Sequence, residues 1–225
     1  MKIHPIIVSL LLTSALNANA ASPEDPNTTD EFDAQGFYTF RPDLRKCITP
    51  LCGGLFVKAV NREQTRCADG SLQPECYVAT VVNKNNIAYV QDGLLQGKIK
   101  PKKYKGFGNL GKFELSAAFR PAVTTSASSD FVGLHNNGRV CITTPCFSFD
   151  EYVLNSKKVK DVSLIDLEKV GASEEDLTTA WAIISAGGNS ALLATGTNEY
   201  VQELDGIGLH FIADQFYLPI PPEKN

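Results

Sequence analysis

The chain has 225 residues, six cysteines and a formal net charge of −4. That length suits one large domain or two small ones. A mildly acidic chain has no overall field for nucleic acid or an anionic membrane, and a hydrophobic content of 43% is that of an ordinary globular protein.

Residues 1–20 read as a secretory leader. Lys2 supplies the positive start, PIIVSLLLTSAL is an apolar run of the right length, and ANA at 18–20 is a small-x-small cleavage site before Ala21. The run is too short to span a bilayer, and no other segment is long enough. No cysteine follows the cleavage site, so no lipid anchor is expected. The mature chain is therefore expected to be exported and soluble, in the periplasm or outside the cell, with a net charge of −5 once Lys2 is gone. Residues 21–35 carry five acids, two prolines and little apolar content, which predicts an acidic, mobile arm.

The ordered part opens with GFYTF, a short predicted strand. RKCITPLCGG follows at 45–54, then LFVKAVN, a strand by composition. TRCADGSLQPEC holds two more cysteines around an Asp-Gly turn, and YVATVVN is another strand. NNIAYVQ fits a short helix or a turn. GLLQGKIK and KFELSAAF come next; in the latter Phe113, Leu115, Ala117 and Phe119 alternate with the period of a strand.

From residue 131 the pattern restarts. Arg-x-Cys-Ile-Thr-x-x-Cys at 45–52 recurs at 139–146, and Asn61 matches Asn155 at the same offset. Phe113, Phe119 and Pro121 match Phe211, Tyr217 and Pro219 at a slightly larger offset, and Leu94 and Leu95 fall on Leu192 and Leu193. The second copy carries the clearer helix. Ser173 stands at the N-cap, and Asp176 takes the capping-box position. Glu174 and Glu175 lie at the positive end of the helix dipole. Leu177, Ala180, Trp181 and Ile184 form one apolar face, and Gly187 stops the helix.

These readings define a leader at 1–20, an arm at 21–35, a first repeat at 36–122, a polar linker at 123–130, a second repeat at 131–221 and an extended tail at 222–225. The expected fold class is α+β and β-rich: a tandem duplication of a small antiparallel β unit with one helix per copy. The element order is also that of an oligonucleotide/oligosaccharide-binding barrel. Two small barrels and one merged antiparallel sheet both satisfy it.

An even number of cysteines in an exported chain implies disulfides. If a repeat repeats its bridge, Cys47 pairs with Cys52 and Cys141 with Cys146, leaving Cys67 for Cys76. Each small ring removes about 2–3 kcal/mol of unfolded-state entropy in the loop-closure model. A zinc site would call for closer pairs.

Candidate chemistry is sparse. GFGNLG at 106–111 fits a dinucleotide fingerprint, but an alternating strand follows it where a helix is needed, so it reads as a hairpin loop. The stretch KIKPKKYKGFGNLGK, 98–112, has six lysines and no acid. Lys98, Lys100, Lys102, Lys103, Tyr104, Lys105 and Phe107 form a candidate patch for an anionic glycan or a protein partner, through ion pairing and stacking. The plainer reading is that lysines guard a strand edge. His135 and His210 lie apart from any nucleophile or metal motif, so no catalytic residue, metal or cofactor is expected. The Cys rings display Thr49-Pro50 and Thr143-Thr144-Pro145 in rigid loops, which suits a secreted protease inhibitor as the alternative function. An enzyme of unknown type is a weaker one.

RPDLRKCITPLCGGLFVKAVNREQTRCADG, followed by ECYVA and later by CITTPCFSFDEYVLN, resembles a family of exported bacterial proteins carried under the label of a domain of unknown function. The resemblance covers most of the mature chain. It implies an exported, Gram-negative protein and supplies no site residues. That family tends to have a longer helix ahead of the fourth strand of the first copy, where this chain has only NKNNIAYVQ. The expected function is that of a disulfide-stabilised binding or structural module of the periplasm or cell surface.

Overall fold

The computed structural model describes residues 35–124, 129–187 and 190–223. The predicted leader, the arm up to residue 34, residues 125–128 of the linker and the last two residues of the tail lie outside the described residues.

The first half contains β1 (Gly36–Pro42), β2 (Leu55–Ala59), β3 (Thr65–Arg66), β4 (Leu72–Gln73), β5 (Cys76–Val78), β6 (Thr80–Val82), β7 (Leu94–Lys100), β8 (Lys103–Tyr104), β9 (Gly108–Asn109) and β10 (Lys112–Pro121). The second contains β11 (Phe131–Asn136), β12 (Phe149–Val153), β13 (Val159–Val162), β14 (Leu164–Asp166), a 3-10 turn at Glu168–Val170, helix α1 (Glu174–Ala186), β15 (Leu192–Glu203) and β16 (Gly206–Pro219). Twelve strands form one sheet along the path β13-β12-β11-β15-β16-β10-β7-β1-β2-β5, with β14 beside β16 and β6 beside β10. The fold is thus β-rich and mostly antiparallel.

The two halves of that path run in mirrored order and make the same pairings. The last strand of each half has an antiparallel neighbour along one side, β7 for β10 and β15 for β16. On its other side it takes a short parallel strand first: Phe113 lies opposite Val81, and Phe211 opposite Ile165. Both phenylalanines are fully buried. The C-terminal ends of β10 and β16 then pair with each other, Phe119 opposite Pro219, Arg120 opposite Leu218 and Pro121 opposite Tyr217. The backbone bonds just beyond are reciprocal: Ala122 N donates to Phe216 O, and Ile220 N to Ala118 O.

Strand register corrects two sequence readings. Leu94 lies opposite Phe119 and Leu193 opposite Tyr217, so Leu94 corresponds to Leu193, and Leu95 to Ala194. Gly97 then corresponds to Gly196, and this sets the alignment. A Cβ at either glycine would collide with a carbonyl oxygen, of Glu114 or Ile212, and with the ring of Phe113 or Phe211. The strict alternation expected from Phe113 to Phe119 also breaks. An extra residue, Ser116, bulges β10, so Ala118 enters the core and Ala117 does not. Asp214 is the extra residue at the matching place in β16.

Each half buries its own apolar cluster, and a third is shared: Val60, Leu94, Leu154, Leu193 and Tyr217, with Phe37, Phe119 and Phe131 against them. The three disulfides are Cys47–Cys52, Cys67–Cys76 and Cys141–Cys146, with Cα separations of 5.7, 5.3 and 5.7 Å.

The expectation of one helix per copy is wrong. Among the described residues there is a single α-helix, α1, capped by the Ser173 side chain, which accepts from Asp176 N, and ended at Gly187. Ala180 and Ile184 are its buried residues. In the first half, 83–93 is too short and is turned by its own polar groups. The Asn83 side chain donates to Ile87 O and accepts from Ile87 N, and Asn86 and Asp92 take positive φ. The tail is also tied down as far as it is described: Pro222 bridges to Ile87, and Ile220, just ahead of the tail, packs on the first-half core.

Candidate anion-binding face

β7, β10 and β6 lie side by side, and their alternation puts Phe113, Ile99 and Leu95 in the core. The residues between them face outward in two rows across the sheet: Lys98, Glu114 and Val82 in one, Lys100, Lys112 and Thr80 in the other. Where β7 ends, the chain enters the β8–β9 ribbon. The ribbon's root is fixed by Asn109, whose side chain accepts from Lys102 N and donates to Ala68 O, at 2.9 and 2.8 Å. Lys102 Nζ reaches back to Thr80 Oγ1 at 3.2 Å, the Tyr104 hydroxyl meets the same oxygen at 2.7 Å, and Lys102 Nζ lies 4.9 Å from the Tyr104 ring centre.

This arrangement gathers Lys98, Lys100, Lys102 and Lys112, all half-buried, around Thr80 and Tyr104, with Glu114 as the acid in the rows. The Lys112 ammonium, bonded to Glu114, holds that carboxyl below the usual carboxylate range; Lys100 and Lys84 add to this, and burial opposes it. Crowded cations of this kind attract an anion that can meet several at once, in a setting less screened than open water.

Of the sequence-predicted patch, Lys98, Lys100, Lys102 and Tyr104 come together. Lys103, Lys105 and Phe107 are exposed on the ribbon, and GFGNLG is its turn, Tyr104 pairing with Gly108. Sequence reasoning left out of the patch Lys112, which the β7–β10 pairing sets opposite Lys100, and Thr80 and Lys84, which reach the site through the β6–β10 pairing and the charge around Glu114. No local pattern encodes a parallel pairing across thirty residues.

The remaining polar clusters read as structural. Ser163 Oγ donates to Glu203 Oε1 at 2.7 Å, and His210 Nε2 meets the same oxygen at 3.0 Å. The imidazole therefore does not stand between acid and hydroxyl, as activation of a serine requires. The Ser163 hydrogen bond, followed by those from His210 and Thr144, holds Glu203 below its usual range against the effect of burial. His135 Nε2 lies 3.4 Å from Asp150 Oδ2. Among the described residues no three His, Cys, Asp or Glu side chains are grouped to hold a metal ion.

Both Cys rings are held through a carbonyl of the loop they were expected to display. The Tyr77 hydroxyl donates to Pro50 O at 2.9 Å, and Asp205 N to Thr144 O at 2.9 Å. Arg45 forks onto Asp43 beneath the first ring and holds that carboxyl down at about 2. Ile48 and Ile142 project from the two rings, 67% and 105% exposed.

Residues 36–223 match the family model described as Domain of unknown function (DUF6748). The chain belongs to this family. The match spans both halves, so the family's unit is the whole merged sheet and not one copy of the motif. No curated protein and no solved structure matches the chain. Among the described residues no helix is long and apolar enough to cross a membrane.

Proposed function

We propose that this family member is an exported, non-enzymatic binding module, built by tandem duplication, that holds an anionic polymer such as an acidic glycan on the lysine face of its first half. Comparison of the halves is the observation that carries the reading. Aligned on Phe113 and Phe211, the positions of Lys98, Lys100, Lys112 and Glu114 are occupied in the second half by Thr197, Glu199, His210 and Ile212. Thr80 and Val82 correspond to Leu164 and Asp166. The same backbone pairings therefore form without the lysines, so folding does not demand them. The matched Cys rings, Asn61 with Asn155, and Gly97 with Gly196 support the duplication. The leader pattern and three disulfides support export.

Heparin, a sulfated glycan, serves as the polyanion probe. The chain is expected to be retained on immobilised heparin and eluted by salt. The triple variant Lys98→Thr, Lys100→Glu, Lys112→His, which transplants the second half's residues, is expected to pass through unretained with an unchanged circular dichroism spectrum. Equal retention of the two proteins, or no retention of either, would overturn the reading.

A further inference from the structure

From Thr178 to Ala186, helix α1 carries no charged side chain. Ala180 and Ile184 face the core, while Ala182 and Ala186 are exposed on the side where an amphipathic helix normally places its charges. Opposite those alanines stand aromatic residues of the shared cluster, Phe37, Phe119 and Tyr217, together with Tyr152 of β12. The space between is a cleft of about 480 Å³, within the ~300–1,000 Å³ range of small-molecule sites. None of its lining residues is charged.

Two features of the cleft belong to the second half alone. The helix has no counterpart in 83–93. Tyr152 stands where the matching register puts Lys58, an exposed residue. The Tyr152 ring lies flat across Gly133, where a Cβ would come within 2.2 Å of it, so glycine on β11 is what lets the tyrosine form this wall. Burial pushes both the Tyr152 and Tyr217 phenols up, Tyr217 to about 12, where the Asp214 and Asp92 carboxylates add to the effect of burial. The wall is therefore apolar and aromatic, carries neutral hydroxyls, and has small alanines facing it.

We propose that this cleft binds an uncharged, largely apolar small molecule bearing an aromatic or aliphatic body. A charged ligand would be desolvated there with no charged residue in the lining to meet it, and an anion would also face the Asp214 and Asp92 carboxylates near Tyr217. A large apolar body gains from the aromatic wall, and the alanines leave it room. The cleft shares no residue with the lysine face, so the two readings stand or fall separately.

The test uses the uncharged dye N-phenyl-1-naphthylamine and the whole chain. The wild type is expected to enhance the dye's fluorescence saturably, at one site per chain. Ala182→Trp, which fills the cleft, should weaken binding at least tenfold and keep the melting temperature within a few degrees. Ser185→Trp, an exposed change on the same helix outside the cleft lining, should bind as the wild type does. If Ala182→Trp does not fold, the smaller change Ala186→Leu decides, with a threefold or greater loss expected. Absence of saturable binding by the wild type overturns the proposal. So does equal binding by the filled and unfilled proteins. So does a wild-type dimer that Ala182→Trp converts to monomer, since the cleft would then be covered by a second copy.

Discussion

Asn61 and Asn155 each sit at φ 57°, in the left-handed region that a side chain enters only at a cost. The conformation is held by a reciprocal clasp. The Asn61 side chain donates to Phe131 O and Leu154 O and accepts from Phe131 N; the Asn155 side chain donates to Phe37 O and Val60 O and accepts from Phe37 N. Each asparagine therefore satisfies backbone groups of the other half. Replacing Asn61 or Asn155 by Ala removes three hydrogen bonds and leaves a residue poorly suited to positive φ. Either change is expected to cost about 2–4 kcal/mol in urea unfolding, and the two costs should be similar because the surroundings are reciprocal. A loss below about 1 kcal/mol at either site would show that the clasp does not join the halves. The matching of these asparagines was readable in the sequence. Their bonds were not, because the partners lie 70 to 118 residues away along the chain.

At the scale of elements, the two halves give each other a control. Register places Glu151 where the first half has Val57, and Asn198 where it has Ile99. Val57 and Ile99 lie in the apolar core of their half. Glu151 is 2% exposed and is held by Asn198 Nδ2 at 2.8 Å and by Lys160 Nζ at 2.9 Å. A buried carboxylate with its donors is rarely better than a packed apolar pair, yet removing one partner strands the others. Glu151→Val alone should therefore destabilise the chain by about 1–3 kcal/mol. The double variant Glu151→Val, Asn198→Ile copies the first half and should recover that loss or exceed it. A double variant less stable than the single one would mean that the two interiors are not interchangeable. Element reading from sequence succeeded where pattern is local. The α1 cap at Ser173 and the hairpin around GFGNLG are examples. It failed where neighbours intervene, as at the Ser116 bulge, which shifts the alternation of β10.

For the whole molecule, the sheet passes through the junction without a break. The ends of β10 and β16 pair directly, and the central cluster draws on both halves. Neither half can lose its structure without exposing the other's buried surface, so unfolding should be a single cooperative transition. Trp181 is the sole tryptophan and lies in the second half, packed against that half's core. Its fluorescence and the far-ultraviolet circular dichroism, which reports both halves, should give coincident urea curves. A dichroism curve in two steps, with the fluorescence following only one, would count against a single merged unit.

The sequence by itself determined the β-rich class, the well-capped helix of the second half and the presence of two matched motifs, and its repeat pointed to the three bridges that the structure has. All of these are written in residues near one another or in cysteines whose repetition makes the local pairing the simplest of the fifteen possible ones. The lysine stretch was likewise visible as a run of charge. What only the tertiary structure decided is which of those lysines meet. The β7–β10 pairing sets Lys112 opposite Lys100; the parallel seat of β6 beside β10 adds Thr80 and brings Lys84 within reach, and Lys103 and Lys105 stay outside the rows. The same holds for the merger of the two sheets and for the cleft beneath α1. Long-range strand pairing depends on loop closure and on the packing of both faces at once, and neither is a property of any short stretch of chain.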